Sequence, residues 1–448
     1  MAVLEVSGTL ADRYHPVNPA LRSATVPNAE ELKPQYWAQQ AEQAIKARST
    51  LAEPRGEARN VILFLGDGMS VPTLAAARIY SGQQRGATGE ETELFFESFP
   101  TTGLLKTYCA NSQVGDSACT ATAYLCGVKT NSGCIGVSAA VNRGDCAAAR
   151  VSANQVQSIG EWALEDGRDV GLVTTARVTH ASPSGMYAKV PERAWENDVA
   201  VKKAGHKNIT CPDIAYQLVH MNPGNKFKVI LGGGRRNFLP VCVIDEEGFR
   251  GIRKDGQNLI EDWQQSKARL NATYKYIWNR DQLITTNNDL PQYLLGLFEA
   301  SHMQFNLVMN KTTEPTLAEL TETAIKILRR NNKGFFLFVE GGRIDHGHHD
   351  NRVQFALDET VQLSEAVKRA AGLLSQDDTL IVVTADHAHV MSINGYSNRG
   401  HDILGISRNT DTNKAPYMTL SYTNGPGFYN LTGNGVRPDV TKLQNFGK

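Results

Sequence analysis

Gly334-Phe-Phe-Leu-Phe-Val339 runs directly into Glu340-Gly-Gly-Arg-Ile-Asp345-His346-Gly-His348-His349-Asp350. The first segment is a short, uninterrupted apolar run, the pattern of a strand buried on both faces. The second carries one Glu, two Asp and three His, all able to ligate a metal. A polar cluster that starts where a buried strand stops sits at the carboxyl edge of a sheet, where open α/β sheets bind ligands. Carboxylates mixed with imidazoles suit zinc, and carboxylates with hydroxyls or water suit magnesium. A lone His-x-His would read as a solvated loop; this density behind a strand reads as a metal site.

Outward from that stretch, four more runs have the same character: Asn60-Val-Ile-Leu-Phe-Leu65, Asp169-Val-Gly-Leu-Val-Thr174, Lys228-Val-Ile-Leu231 and Thr379-Leu-Ile-Val-Val-Thr384. Between them lie amphipathic helical patterns over 156–164, 317–328 and 353–374, and Pro72 sits where it can open a helix running to Tyr80. Strand and helix alternating in this way predict an α/β fold with a large, mainly parallel central sheet flanked by helices on both faces. Residues 1–59 have few apolar runs and are expected to form an N-terminal arm with a peripheral helix over 30–52, bearing Trp37, Ala41, Ala44 and Ile45. The main domain is expected over 60–448. Residues 235–315 break the alternation and are expected to be a long irregular insertion over the sheet.

The 448 residues can bury a large core. Lys plus Arg equals Asp plus Glu at 46 each, so charge gives no reason to expect a nucleic-acid surface or an anionic membrane as partner. No stretch approaches the roughly 18 apolar residues of a membrane span. Met1–Asp12 lacks a basic region followed by an apolar core, and the C-terminus carries no hydrophobic tail, so neither a secretory signal nor an anchor is expected within these residues. Five of the seven cysteines fall in 109–146 without C-x-x-C spacing, which argues against a zinc ribbon. Asn-x-Ser/Thr sequons at Asn208, Asn271, Asn310 and Asn430 lean toward an exported protein with disulfides.

The polar residues that follow the strands converge on one sheet edge: Asp67 after the first, His180 and Ser182 beyond the second, Glu340, Asp345 and His349 after the fourth, and Asp386-His387 after the fifth. Taken singly, Asp67 between two glycines is an ordinary turn residue and Asp386 an ordinary helix cap. Their convergence points to a site. A nucleophile is available in Gly115-Asp116-Ser117-Ala-Cys119, where Ser117 opens a small-residue helix whose first-turn N–H groups favour phosphate. Asp116 or Ser117 could equally be the N-cap of that helix. G-x-S-x-G, H-E-x-x-H, Walker A and G-x-G-x-x-G are all absent. A serine among metal ligands, with no adjacent base, suggests activation by a cation and an in-line displacement between two of them, which is the chemistry of phosphoryl transfer.

Leu65-Gly-Asp-Gly-Met69, Asp116-Ser-Ala with Thr120 to Lys129, Thr179-His-Ala-Ser-Pro183, Phe335 to His349 and Thr384-Ala-Asp-His387 together resemble the animal alkaline phosphatases, in order, from about residue 30 to residue 440. The resemblance implies phosphomonoester hydrolysis through a phosphoserine at Ser117. It implies one zinc on Asp67, Asp386 and His387, magnesium on Asp67, Ser182 and Glu340 with His180 behind it, and a second zinc on Asp345 and His349. It also implies that Arg193 grips the phosphate, with Asp116 beside the nucleophile. A calcium site on Phe298, Glu299, Glu314 and Glu247, a Cys146–Cys211 disulfide and a free Cys126 follow by the same resemblance. So do a homodimer and attachment to the cell surface through a C-terminal lipid anchor.

In the family a third histidine for the second zinc, a crown domain and the anchoring tail come later than the last matched segment, Val436-Arg-Pro-Asp-Val440. The chain as given is therefore expected to hold that zinc weakly, and neither His389 nor His401 matches the missing ligand by motif. Two other readings of the same residues are a sulfatase or phosphodiesterase on this fold and a catalytically impaired homologue serving as a surface binding protein. Asp116-Ser-Ala with Arg193 disfavours the first.

Overall fold

The computed structural model describes residues 34–49, 56–206, 210–411 and 414–426. Its core is a seven-stranded sheet: β1 (Asn60–Gly66), β2 (Asp169–Arg177), β3 (Val229–Gly233), β4 (Tyr274–Ile277), β5 (Tyr293–Leu297), β6 (Phe335–Gly341) and β7 (Thr379–Ala385). They lie in the order β4-β5-β3-β2-β6-β1-β7, and every neighbouring pair is parallel. The strand of the opening stretch, β6, is therefore flanked on both sides and all seven of its residues are buried.

Alternation along β6 sends its side chains to two separate cores. Phe336 and Phe338 join Leu125, Leu172 and Trp263 on one face. Phe335, Leu337 and Val339 join Leu320, Leu328, Leu363 and Val367 on the other, under the helices Leu317–Leu328 and Val353–Leu373. The first of these helices is started by a capping box, with Thr316 accepting from the Glu319 N–H and Glu319 accepting from the Thr316 N–H.

Register places the site. Leu65 lies opposite Glu340 on one side and Thr384 on the other, while Gly66 lies opposite Gly341 and Ala385. Thr174 of β2 is also level with Glu340. Three adjacent strands thus end at the same height, so Asp67 and Asp386 emerge level with one another, with Glu340 two residues back on β6 between β1 and β2.

The expectation for 235–315 needs correction. Tyr274–Ile277 and Tyr293–Leu297 are β4 and β5, parallel members of the main sheet, with helices Leu259–Arg269 and Arg280–Thr286 between the other parts of the segment. The sequence reading missed them because each is only four or five residues long and Tyr274, Tyr276 and Tyr293 are half-buried, as befits strands near a sheet edge. The N-terminal helix is present as Pro34–Ser49, and Ile45 on it is exposed. The side chains of Trp37 and Ala44 lie outside the described residues, as do Asn208, Asn430 and 436–440. Residues 391–422 add two small antiparallel pairs, β8 (Met391–Ile393) with β11 (Leu420–Tyr422), and β9 (Ile406–Thr410) with β10 (Pro416–Met418).

Candidate active site

Asp67 is the hub. It leaves β1 on a turn in which Gly68 has φ +68, and a Cβ there would strike the His389 ring, so glycine is required on both conformational and steric grounds. The Gly68 N–H donates to Asp386 Oδ1 at 3.0 Å and binds the ends of β1 and β7 together. Asp67 is fully buried, and each of its oxygens faces a serine: Ser117 Oγ donates to Oδ1 at 3.3 Å and Ser182 Oγ to Oδ2 at 3.3 Å. His387 Nε2 lies 3.3 Å from Ser117 Oγ, 3.5 Å from Asp67 Oδ1 and 3.4 Å from Asp386 Oδ2. Ligand atoms of Asp67, Asp386 and His387 all fall within 4.8 Å of one another, and so do those of Asp345, His387 and His389.

The positive groups near these carboxylates, Arg193 and the histidines, do not offset the burial of Asp67. Burial, and then the charges of Asp386, Asp345 and Glu340, push the Asp67 carboxyl well above its usual range. Glu340 is fully buried and is raised too, chiefly by burial; Thr174 Oγ1 donates to its Oε2, but Oε1 has no hydrogen-bond partner among the described residues. Four carboxylates converge in an interior that penalises each charge, an arrangement that calls for bound cations. Burial works against protonation of His387, but Asp386 and Asp345 outweigh it and raise its pKa.

Ser117 is the first residue of the helix Ser117–Cys126, and Asp116 is its N-cap. Asp116 accepts from the N–H groups of Ala118 (3.3 Å) and Cys119 (3.5 Å), so it occupies donors that the sequence reading offered to phosphate. It also accepts from the Gly133 N–H at 2.9 Å and pairs with Arg193 Nη1 at 3.0 Å. These bonds and the Arg193 charge outweigh burial and hold its carboxyl below the usual range. The other edge of Arg193 faces His180, Nη2 to Nε2 at 3.5 Å. His180 is buried, and burial followed by the Arg193 charge keeps it neutral. A cavity of about 210 Å³ lies behind the nucleophile helix, lined by Leu105, Thr107, Thr120, Tyr124 and Lys129, and reaches Asp386.

Every residue expected around Ser117 is thus gathered. His349 is more peripheral: its Nε2 is 3.4 Å from Asp345 Oδ1 and its side chain is 66% exposed. The residue that sequence reasoning passed over is His389, whose Nε2 sits 2.5 Å from Asp345 Oδ1. Burial would raise Asp345, but this bond and the charges of His349, His389 and His387 hold it low. The signal was present in Asp386-His387-Ala-His389, where an i, i+2 pair after a strand can turn both rings to one site. His346 and His348 have other partners. His348 bridges Thr73 Oγ1 (2.9 Å) and Tyr422 OH (2.8 Å), and His346 packs against His302 and takes a 2.9 Å hydrogen bond from Arg343. His401 bonds the Ile406 carbonyl oxygen instead.

At the calcium candidate, Glu314 is fully buried and its carboxyl is pushed up to about 9 by burial, then by its hydrogen bond with Glu299 and the charge of Glu299. Phe298 adjoins them at the end of β5. Glu247 is drawn into a pair with the buried Arg235, so the structure brings Glu299 and Glu314 together more closely than the full set of four.

The comparisons decide the family. A family profile described as alkaline phosphatase matches residues 58–448. This chain belongs to the alkaline phosphatase family. The membrane-bound alkaline phosphatase of Bombyx mori is 59% identical over 97% of this chain and 80% of its own length. The human tissue-nonspecific isozyme is 45% identical over 95% and 81%. Among solved structures, the Thermus thermophilus alkaline phosphatase matches with a TM-score of 0.60 at 25% identity, covering 84% of this chain and 67% of that one. The enzyme of the Antarctic bacterium TAB5 matches at 0.60 and 22% identity, over 83% and 93%. The alkaline phosphatase reaction is hydrolysis of phosphomonoesters, and the site faces that substrate class. Both predicted cystine positions, Cys146 and Cys211, are bonded, and Cys126 is free and buried. A second bridge, Cys109–Cys119, was not foreseen. No helix among the described residues is long and apolar enough to cross a membrane.

Proposed function

We propose that this alkaline phosphatase works through a covalent phosphoserine on Ser117, with zinc held by Asp67, Asp386 and His387 and magnesium by Asp67, Ser182 and Glu340. The single observation that carries the reading is the placement of Ser117 Oγ, 3.3 Å from both Asp67 Oδ1 and His387 Nε2, among buried carboxylates whose charge the nearby Arg193 does not offset. The donor set fits: hard oxygens and one imidazole at the nucleophile, oxygens alone around Glu340. Bound there, such cations lower the pKa of a coordinated hydroxyl or water and neutralise charge on the oxygens of an in-line displacement.

The remaining work belongs to the chain. Asp67 accepts the Ser117 hydrogen bond and aims Oγ at the incoming phosphorus. Arg193, pre-oriented by Asp116, takes phosphate oxygens with the N–H donors that Asp116 leaves unused. As the Ser117 Oγ–P bond forms, the bond from phosphorus to the leaving oxygen breaks and the departing alcohol carries the proton Ser117 gave up; water then cleaves the phosphoserine, its oxygen going to phosphorus and a proton back to Ser117, and inorganic phosphate is released. Asp345 and His349 supply donors for a second zinc on the leaving-group side, and His389 holds Asp345 in orientation. Glu299, Glu314 and the Phe298 carbonyl, with Glu247 on their flank, offer a separate oxygen site for calcium. A homodimer attached to the cell surface, with no nucleic-acid partner, completes the proposal and rests on the resemblance.

The test is acid quenching of turnover with labelled phosphomonoester, followed by peptide analysis. Label on Ser117 that disappears in Ser117→Ala, with turnover falling by about a thousandfold or more, is the expected result. Label on another residue, or turnover persisting in Ser117→Ala, would overturn the reading.

A further inference from the structure

We propose that the Cys109–Cys119 disulfide is a positioning element of the phosphate site, holding Asp116 where it presents Arg193 to substrate. The proposal rests on the reading of Arg193 as the phosphate-gripping residue. The bridge spans ten residues of sequence, and the loop it closes contains both Asp116 and Ser117. Its two halves are buried, at 2% and 1% exposure. Cys119 lies in the first turn of the nucleophile helix, and its N–H donates to Asp116 Oδ1. Cys109 Sγ packs 3.7 Å from that same oxygen. One oxygen of Asp116 is therefore walled in by the bridge, and the other carries Arg193 at 3.0 Å.

The rest of the loop has little else to anchor it. Leu104, Leu105 and Tyr108, just before the bridge, and Val114 within the loop are all exposed, so these side chains bury little apolar surface. Its other ties are polar: Lys129 Nζ over the Tyr108 ring and to the carbonyl oxygens of Lys106 and Tyr108, Ala110 N–H to Thr130 O, Ser132 N–H to Asn111 Oδ1 at 2.9 Å, and the exchange between Cys109 and Ser112. Gly115 fits only because it has no side chain, since a Cβ would strike the Thr107 carbonyl oxygen. The loop is thus drawn in tightly at Cys109 and Gly115, and the covalent link holds the first of these points to the helix. Without it, Asp116 keeps its helix-capping bonds and the Gly133 N–H at 2.9 Å but loses the sulfur wall against Oδ1, so its carboxylate gains room to rotate and Arg193 samples orientations that miss the phosphate.

The experiment compares the parent holoenzyme with C109S/C119S and C109A/C119A, alone and combined with Asp116→Asn. The readouts are KM and kcat for p-nitrophenyl phosphate, calorimetric binding of inorganic phosphate, and Tm. The expected result is KM and the phosphate Kd raised by about five- to tenfold, a part of what losing Arg193 outright would cost and roughly the worth of one ordinary hydrogen bond, with kcat within about twofold. The effect should shrink to less than about twofold in the Asp116→Asn background, because bridge and carboxylate act on one arginine. Phosphate binding unchanged in a folded bridge-less pair overturns the proposal, as does full additivity with Asp116→Asn. Failure of both pairs to fold also overturns it, by making the bridge a condition of folding. Arg193→Ala, run alongside, separates the premise: if that variant binds phosphate like the parent, the assignment of Arg193 itself falls.

Discussion

Replacing Arg193 by alanine removes the one guanidinium that the site holds ready between Asp116 and His180. The fold should tolerate the change. Asp116 retains the Gly133 N–H at 2.9 Å and the Ala118 and Cys119 N–H groups at 3.3 and 3.5 Å, so no carboxylate is stranded. Arg193 and Asp116 are 26% and 24% exposed, and a pair at that depth is worth about 1 kcal/mol or less to stability. The loss therefore falls on binding. A hydrogen bond to a charged group contributes about 1.5–3 kcal/mol, which at roughly 1.4 kcal/mol per decade predicts a drop in kcat/KM of about 10- to 150-fold. The Kd for inorganic phosphate should rise by a similar factor, while Tm changes by no more than a few degrees. Arg193→Lys should fall between the two, since an ammonium keeps the charge and loses the planar fork. Steady-state kinetics with p-nitrophenyl phosphate and calorimetry with phosphate measure both quantities. Values within about threefold of the parent would refute the reasoning, and a large fall in Tm would show the Asp116 pair to be structural.

Two further outcomes follow from buried charge. Stripping metals with a chelator leaves Asp67, Asp345, Asp386 and Glu340 facing one another, and should lower Tm. Restoring zinc and magnesium, each at a thousandfold excess over its Kd, should return about 4 kcal/mol of stability for each site filled, and a Tm indifferent to chelation would count against the assigned ligands. Glu359 is buried, and burial pushes its carboxyl up to about 7 from the ordinary 4.5; its Oε1 accepts from the Asn306 N–H at 2.7 Å. A carboxyl raised in the folded state stabilises while protonated, so its contribution is complete below about pH 4.5 and is lost as pH rises through 7. Glu359→Gln should accordingly stabilise the protein by up to about 3 kcal/mol above pH 7 and by almost nothing below pH 4.5, as read from denaturant midpoints across that range. An equal shift at both ends would remove the titration of Glu359 as its cause.

Much of this molecule could be read before any coordinates, because the determining signals are local. A run such as Phe335–Val339 can be satisfied only between two neighbours in a sheet, and a carboxylate directly after such a run must emerge at the sheet's edge; that logic located Asp67, Glu340 and Asp386 from order along the chain alone. His180 and Ser182 came in the same way from beyond the second strand, Ser117 from the small-residue helix it opens and the lack of rival motifs, and Arg193 through the resemblance. What the tertiary structure decided depends on the register and packing of distant segments. The pairing of Gly66 with both Gly341 and Ala385 sets the three strand ends at one height, and no local pattern specifies that. Short, half-exposed strands such as Tyr274–Ile277 are strands only because Tyr293–Leu297 lies beside them. His389 joins Asp345 across 44 residues, and Cys109 meets Cys119 by the way one loop folds back on a helix. Sequence therefore determined which residues could do the chemistry. Packing decided which of them meet, since hydrogen bonds and charge pairs act over a few ångströms of space with no regard to distance along the chain.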